Sequence, residues 1–93
     1  MAHNAVRLVI TGRVQGVGFR AWTCGEARQR GLRGWVRNRH DGSVEALLIG
    51  APETVEAMIA ACRHGPSMAR VDNIAQVPAA DDGSPGFAER HTV

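Results

Sequence analysis

The sequence predicts an α+β fold, a ferredoxin-like βαββαβ sandwich with a short terminal strand and two helices on one face of a mostly antiparallel sheet. Three observations predict it. Strand-like and helix-like periodicities alternate in that order along the chain, an Asp-Gly turn links the second and third strands, and 93 residues leave room for one core only. With 44% hydrophobic and 22% charged residues, the composition is that of a globular chain rather than a disordered one.

The first strand is read at Val6–Ile10, where Val6, Leu8 and Ile10 alternate with Arg7 and Val9 before Thr11-Gly12. Arg13-Val14-Gln15-Gly16-Val17-Gly18 suits a tight loop, since its glycines disfavour a helix interior. A helix starts near Phe19 or Arg20 and runs to about Arg30, stopped by Gly31. Its apolar face is thin, and Gly25 weakens it by about 1 kcal/mol. Arg33–Arg39 is the second strand, and Asp41-Gly42 is a strong hairpin signal before the third, Val44–Ile49. Pro52 sits in a first helical turn, and Val55, Met58, Ile59 and Cys62 recur at helical spacing, so 51–64 is an amphipathic helix. Ala69–Val77 reads as a fourth strand with Val71, Ile74 and Val77 inward, and Phe87–Val93 as a weakly supported final one. One domain fills residues 1–93, with 1–4 as an N-terminal tail and 78–86, rich in proline, glycine and aspartate, as a loop.

Composition narrows the chemistry. All 11 basic residues are arginine, against nine acids, for a net charge of +2, and there is no tyrosine. Schiff-base lysine and tyrosine acid–base mechanisms are thereby excluded. Every strong cation is instead a planar fork suited to phosphate or carboxylate. A charge of +2 argues weakly for nucleic acid. His3, His40, His64 and His91 are scattered with no partner at ligand spacing, so no metal is expected. Cys24 and Cys62 each fall near an apolar helix face, where a free buried thiol is the default. No export signal and no membrane span are recognisable, which together with two unpaired cysteines reads as a reduced, cytoplasmic protein.

The chemistry concentrates in Gly12–Arg20, GRVQGVGFR, between the first strand and the first helix. Successive backbone N–H groups in a tight loop form an anion-binding concavity. A helix N-terminus adds about half a positive charge. Arg20 can add a bidentate fork to two phosphate oxygens. The loop lacks the Gly-Lys-Ser/Thr ending of a P-loop and does not match G-x-G-x-x-G, so nucleotide binding is not supported. On these residues alone the segment is either a phosphate cradle or a tight crossover whose Arg20 pairs with a carboxylate.

GRVQGVGFR, followed by Gly34-Trp35-Val36-Arg37-Asn38, Asp41-Gly42, Val44-Glu45-Ala46, Gly50 and Gly65-Pro66, resembles the acylphosphatase family over roughly Ala5 to Val77. The resemblance implies metal-independent hydrolysis of an acyl phosphate to carboxylate and inorganic phosphate, without cofactor or covalent enzyme intermediate. It places Arg20 as the catalytic, phosphate-binding arginine and Asn38 as the residue that positions the attacking water. By the same resemblance, the backbone amides of Gln15, Gly16, Val17, Gly18 and Phe19 are expected to wrap the phosphate with Arg20. Two departures stand out. Arg30 occupies a position where the family's first helix offers an apolar residue, and Glu89 one where its terminal strand carries an aliphatic side chain. A loosely packed first helix and a frayed or shifted final strand are expected from them.

Trp35 is expected in the core or on a sheet face, and Trp22 either over the loop or exposed. Arg13 and Arg37 flank the expected pocket, as steering charges or as solvated ones. The competing class of function is a non-catalytic module binding an anion, a partner or RNA, since ferredoxin-like sheets also carry domains that stack bases on aromatic strands. Arg33-Gly34-Trp35 faintly echoes such a motif, but Phe19, Trp22, Trp35 and Phe87 are the only aromatics. The expected partner is a small-molecule acyl phosphate, with no nucleic acid or membrane, and the expected state is a monomer.

Overall fold

The computed structural model describes residues 4–93. The elements follow in the predicted order: β1 (Asn4–Arg13), α1 (Phe19–Gln29), β2 (Arg33–Asn38), β3 (Val44–Gly50), α2 (Pro52–Cys62), β4 (Arg70–Pro78) and β5 (Phe87–Glu89). They form one sheet ordered β4-β1-β3-β2-β5. Every pairing is antiparallel except that of β2 with β5.

Strand alternation divides the sheet into two unlike faces. Leu8 and Ile10 of β1, Val36 of β2, and Val44, Ala46 and Leu48 of β3 point to one side, where they meet Cys24 and Ala27 of α1 and Val55, Met58, Ile59 and Cys62 of α2. Both helices lie on that face, and the main core is the layer between. The other face carries a smaller cluster, Trp35, Leu47 and Ile49. Beside it Glu45 accepts from Arg7 Nη1 at 3.0 Å and Arg37 Nε at 2.7 Å. Arg37 and Arg90 stack on Trp35 at 4.5 and 5.1 Å. The loop after β4 then folds across: Arg33 Nη1 donates to the Ser84 carbonyl at 2.7 Å, and Trp35 Nε1 to Asp82 at 3.1 Å.

Several boundaries move. β1 extends beyond Val6–Ile10, because Asn4 already pairs with Gly50, and pairing with β4 continues past a bulge at Thr11/Gly12. Asn4 is therefore strand rather than tail, whereas residues 1–3 of that expectation, with His3, lie outside the described residues. Pro78 closes β4 opposite Val6 instead of opening the loop. Val77 is exposed, since β4 is an edge strand whose alternate side chains leave the core. Arg37 lies on the helix-free face, held by Glu45, so it does not flank the pocket. Arg30 does not enter the core: it caps the end of α1, pairs with Glu26 at 2.8 Å, and Leu32 is buried in its place. β5 is short but not frayed, because Arg90 N–H donates to the Val36 carbonyl and Val93 N–H to that of Asn38.

Gly34 is the tightest point of the sheet. Its φ is 132°, and a Cβ there would land on the Leu47 carbonyl of β3. Gly34→Ala is expected to cost at least about 2 kcal/mol, from overpacking and a strained backbone together, read as a lower urea midpoint. Burial works to raise the Glu45 carboxyl, but hydrogen bonds and charges from Arg37 and Arg7 outweigh it and hold the group below the usual glutamate range. A depressed folded-state value gives stability that is complete above the ordinary value of 4.5 and lost as pH falls through the folded value. Glu45→Gln should cost about 1–3 kcal/mol at pH 7 and flatten the acid limb of a stability–pH profile; an unchanged limb would place that proton uptake elsewhere.

Candidate active site

β1 ends at Arg13, and the chain turns through Val14–Gly18 into α1. Gly16 (φ 73°) and Gly18 (φ 79°) supply the left-handed conformations of this turn, which any other residue adopts at a cost. Two anchors fix the loop from below: Val14 and Phe19 are both buried in the main core. A third fixes it sideways. The Gln15 side-chain amide donates to the Arg39 carbonyl at 2.7 Å and the Ser43 carbonyl at 2.9 Å. The loop is thereby tied to the base of the β2–β3 hairpin, next to Asn38. The hairpin turn is itself braced, because Asp41 accepts from Ser43 N–H at 2.9 Å and Ser43 Oγ at 2.6 Å.

Helix α1 begins without a cap. Gly18 offers no side chain, and the first turn contains no acid. The first backbone bond of the helix runs from Trp22 N–H to the Gly18 carbonyl at 3.0 Å, which leaves the N–H groups ahead of it without an intrahelical acceptor. Those donors and the positive end of the helix dipole meet a cavity of about 230 Å³ lined by Val14, Gln15, Gly16, Gly18, Phe19, Arg20, Ala21, Asn38 and Glu89. Pockets for drug-sized ligands run roughly 300–1,000 Å³, so this one suits a smaller, polar occupant.

Of the residues singled out in the sequence, Gln15, Gly16, Gly18, Phe19, Arg20 and Asn38 line this one cavity. Val17 does not: its side chain packs partly buried against the main core. Arg20 is half-buried, its Nη1 reaches the Arg90 carbonyl at 3.5 Å, and it belongs to none of the ion pairs among the described residues. The alternative of a carboxylate-paired Arg20 is therefore not what the fold adopts. Asn38 enters from β2, pointing to the helix side beside Val44. Val14, Ala21 and Glu89 also line the cavity and were not expected there. Glu89 was legible only through its pairing, since alignment of β5 with Val36 turns it to the helix face.

No group of three or more His, Cys, Asp or Glu suited to a metal occurs among the described residues. Cys24 and Cys62 are free and buried, and burial pushes the Cys62 thiol up to about 12, the opposite of an activated nucleophile. Trp22 packs edge-on against Phe19, with centroids 5.5 Å apart, behind the loop.

An uncapped helix start, a glycine turn and an unpaired arginine facing an asparagine define a domain whose open site can take a small oxyanion. The acylphosphatase family model matches residues 6–88. An acylphosphatase of Bradyrhizobium diazoefficiens is 54% identical over 82 residues, covering 88% of this chain and 83% of that one. Another, from Azorhizobium caulinodans, is 51% identical over the full length of both. The crystal structure of acylphosphatase from Bacillus subtilis superposes with a TM-score of 0.89 at 36% identity, over 92% of this chain and 97% of that one. This chain belongs to the acylphosphatase family.

Replacing Gln15 by methionine keeps the length of the brace but removes both donors. The loss of two neutral hydrogen bonds should weaken binding of inorganic phosphate about 3–10-fold in a calorimetric titration. Unaltered affinity would show that the loop holds its shape without the brace.

Proposed function

We propose that this chain hydrolyses acyl phosphates to carboxylate and inorganic phosphate, with Arg20 and Asn38 as the catalytic residues and the Gln15–Arg20 loop as the phosphate cradle. The observation that carries the reading is the convergence of an unpaired Arg20, an uncapped α1 and Asn38 on one small cavity. The Gln15–Phe19 amides and the Arg20 fork bind the nonbridging phosphate oxygens and neutralise their charge. Asn38 holds the water, accepting from it through its carbonyl and donating through its NH₂. The water oxygen bonds to phosphorus while the bond from phosphorus to the acyl oxygen breaks. The carboxylate leaves with that electron pair, and the water's proton passes to a phosphate oxygen.

Such a substrate is already a mixed anhydride with a good leaving group, so positioning and charge stabilisation suffice. A pH–rate profile demanding a protein base with a pKa of about 6–7 would count against transfer to the phosphate oxygen. The proposed protein works as one metal-independent domain, a cytoplasmic monomer. No described helix is long and apolar enough to cross a membrane. An RNA-stacking role is disfavoured because Phe19 and Phe87 lie in the main core and Trp35 is buried beneath Arg37 and Arg90.

Benzoyl phosphate hydrolysis in EDTA tests the assignment. Asn38→Ala should cut the rate about 10²–10³-fold, as loss of one oxyanion donor does. Arg20→Gln should cut it at least as far and also weaken phosphate binding. An Arg20→Gln variant keeping more than half the wild-type kcat/KM would refute the role given to that residue, and loss of wild-type turnover in EDTA would refute metal independence.

A further inference from the structure

We propose that Glu89 sets the substrate class of this site, disfavouring acyl phosphates with an anionic acyl group and favouring neutral or cationic ones. The inference rests on the acyl phosphate reading above and adds a charge rule to it. Glu89 lies in the wall of the same cavity as Arg20 and Asn38. Its direction follows from pairing: β5 runs parallel to β2 with Glu89 opposite Val36, and Val36 belongs to the core beneath the helices. The next residue, Arg90, turns the other way and stacks on Trp35 at 5.1 Å, so it does not cover Glu89 on the cavity side. Glu89 takes part in none of the ion pairs among the described residues. The cavity wall thus presents an exposed carboxylate that forms no ion pair with any described arginine, Arg20 in the same lining included.

Such a charge does not prevent phosphate from binding where α1, the loop amides and Arg20 oppose it. It acts on what phosphate carries. With phosphate seated at the loop in a cavity of about 230 Å³, the acyl part must lie along the remaining wall or at the mouth, within the reach of Glu89's field. A carboxylate on the acyl part then meets the like charge of Glu89, and an ammonium meets its complement.

The test compares kcat/KM for three substrates of one shape: benzoyl phosphate, 4-carboxybenzoyl phosphate and 4-(aminomethyl)benzoyl phosphate. Wild type should prefer the cationic over the anionic compound. Glu89→Gln, which keeps shape and removes charge, should reduce that ratio by about tenfold, and Glu89→Lys should invert it. Raising the salt should shrink the wild-type preference, because charges near a cavity mouth are screened. If both variants change all three substrates by one common factor, Glu89 acts on folding or on proton transfer and the charge rule is overturned while the acyl phosphate reading survives. If wild type turns over none of the three, both fall together.

Discussion

The uncapped N-terminus of α1 is the constraint around which the rest of the structure is arranged. Unsatisfied helix donors are costly when buried, and a Ser, Thr, Asp or Asn cap would satisfy one of them from within. Here Gly18 occupies the cap position and no acid stands in the first turn, so these donors stay free for an outside anion. An open end must then be held from other directions. Phe19 and Val14 sink into the core beneath it, and Gln15 pins the loop to the hairpin. Further along the helix, Arg20 reaches the Arg90 carbonyl, while Cys24 Sγ and Arg28 Nε donate to that of Phe87. That stripe, one turn apart at each step, ties α1 to β5 and accounts for the order of a strand only three residues long.

Charge is partitioned to the same end. A chain whose only strong cations are arginines risks a field with no focus, yet Arg7, Arg30, Arg33, Arg37, Arg39 and Arg70 all have carboxylate partners. Those on the helix-free face converge on Glu45 and on the Asp81/Asp82 loop, and Arg37 among them covers Trp35. Arg20 lacks such a partner. Surface pairs add little stability each, but pairing most of the other guanidinium groups leaves Arg20 as the arginine in the cavity lining, without a carboxylate partner.

The order of elements and the loop were legible because both depend on local signals: periodicity, Asp-Gly, and glycines beside a helix start. Asn38 was legible only through resemblance, since nothing in its neighbours says that a β2 side chain will face the loop; that follows from register with Val44. Arg37 was misread for the same reason, and the place of Glu89 in the cavity was not foreseen. A single-strand pattern does not say which sheet face a residue takes, and pairing turns Glu89 into the cavity and Arg37 away from it. The strand ends moved outward because ladder bonds to a neighbour can extend a strand past the last apolar residue, as at Asn4 and Pro78. Arg30 looked like a defect in the core because the resemblance puts an apolar residue there; in the fold it stands one residue past the helix, as its cap, and pairs with Glu26.

The displaced protonation equilibria of the chain match this division of labour. Glu45 is held ionised by two arginines, Asp41 and Asp82 by serine donors in tight turns, and Cys62 is kept protonated by burial. Each shift is explained by a structural contact on the helix-free face, in a turn or in the core. In enzymes that move protons, such shifts concentrate where the chemistry is. The chemistry proposed here breaks an anhydride whose leaving carboxylate needs no acid and whose phosphate oxygens accept the water's proton, so it asks the protein for fixed charge and position. Those are what an uncapped helix, a braced loop and the unpaired Arg20 supply.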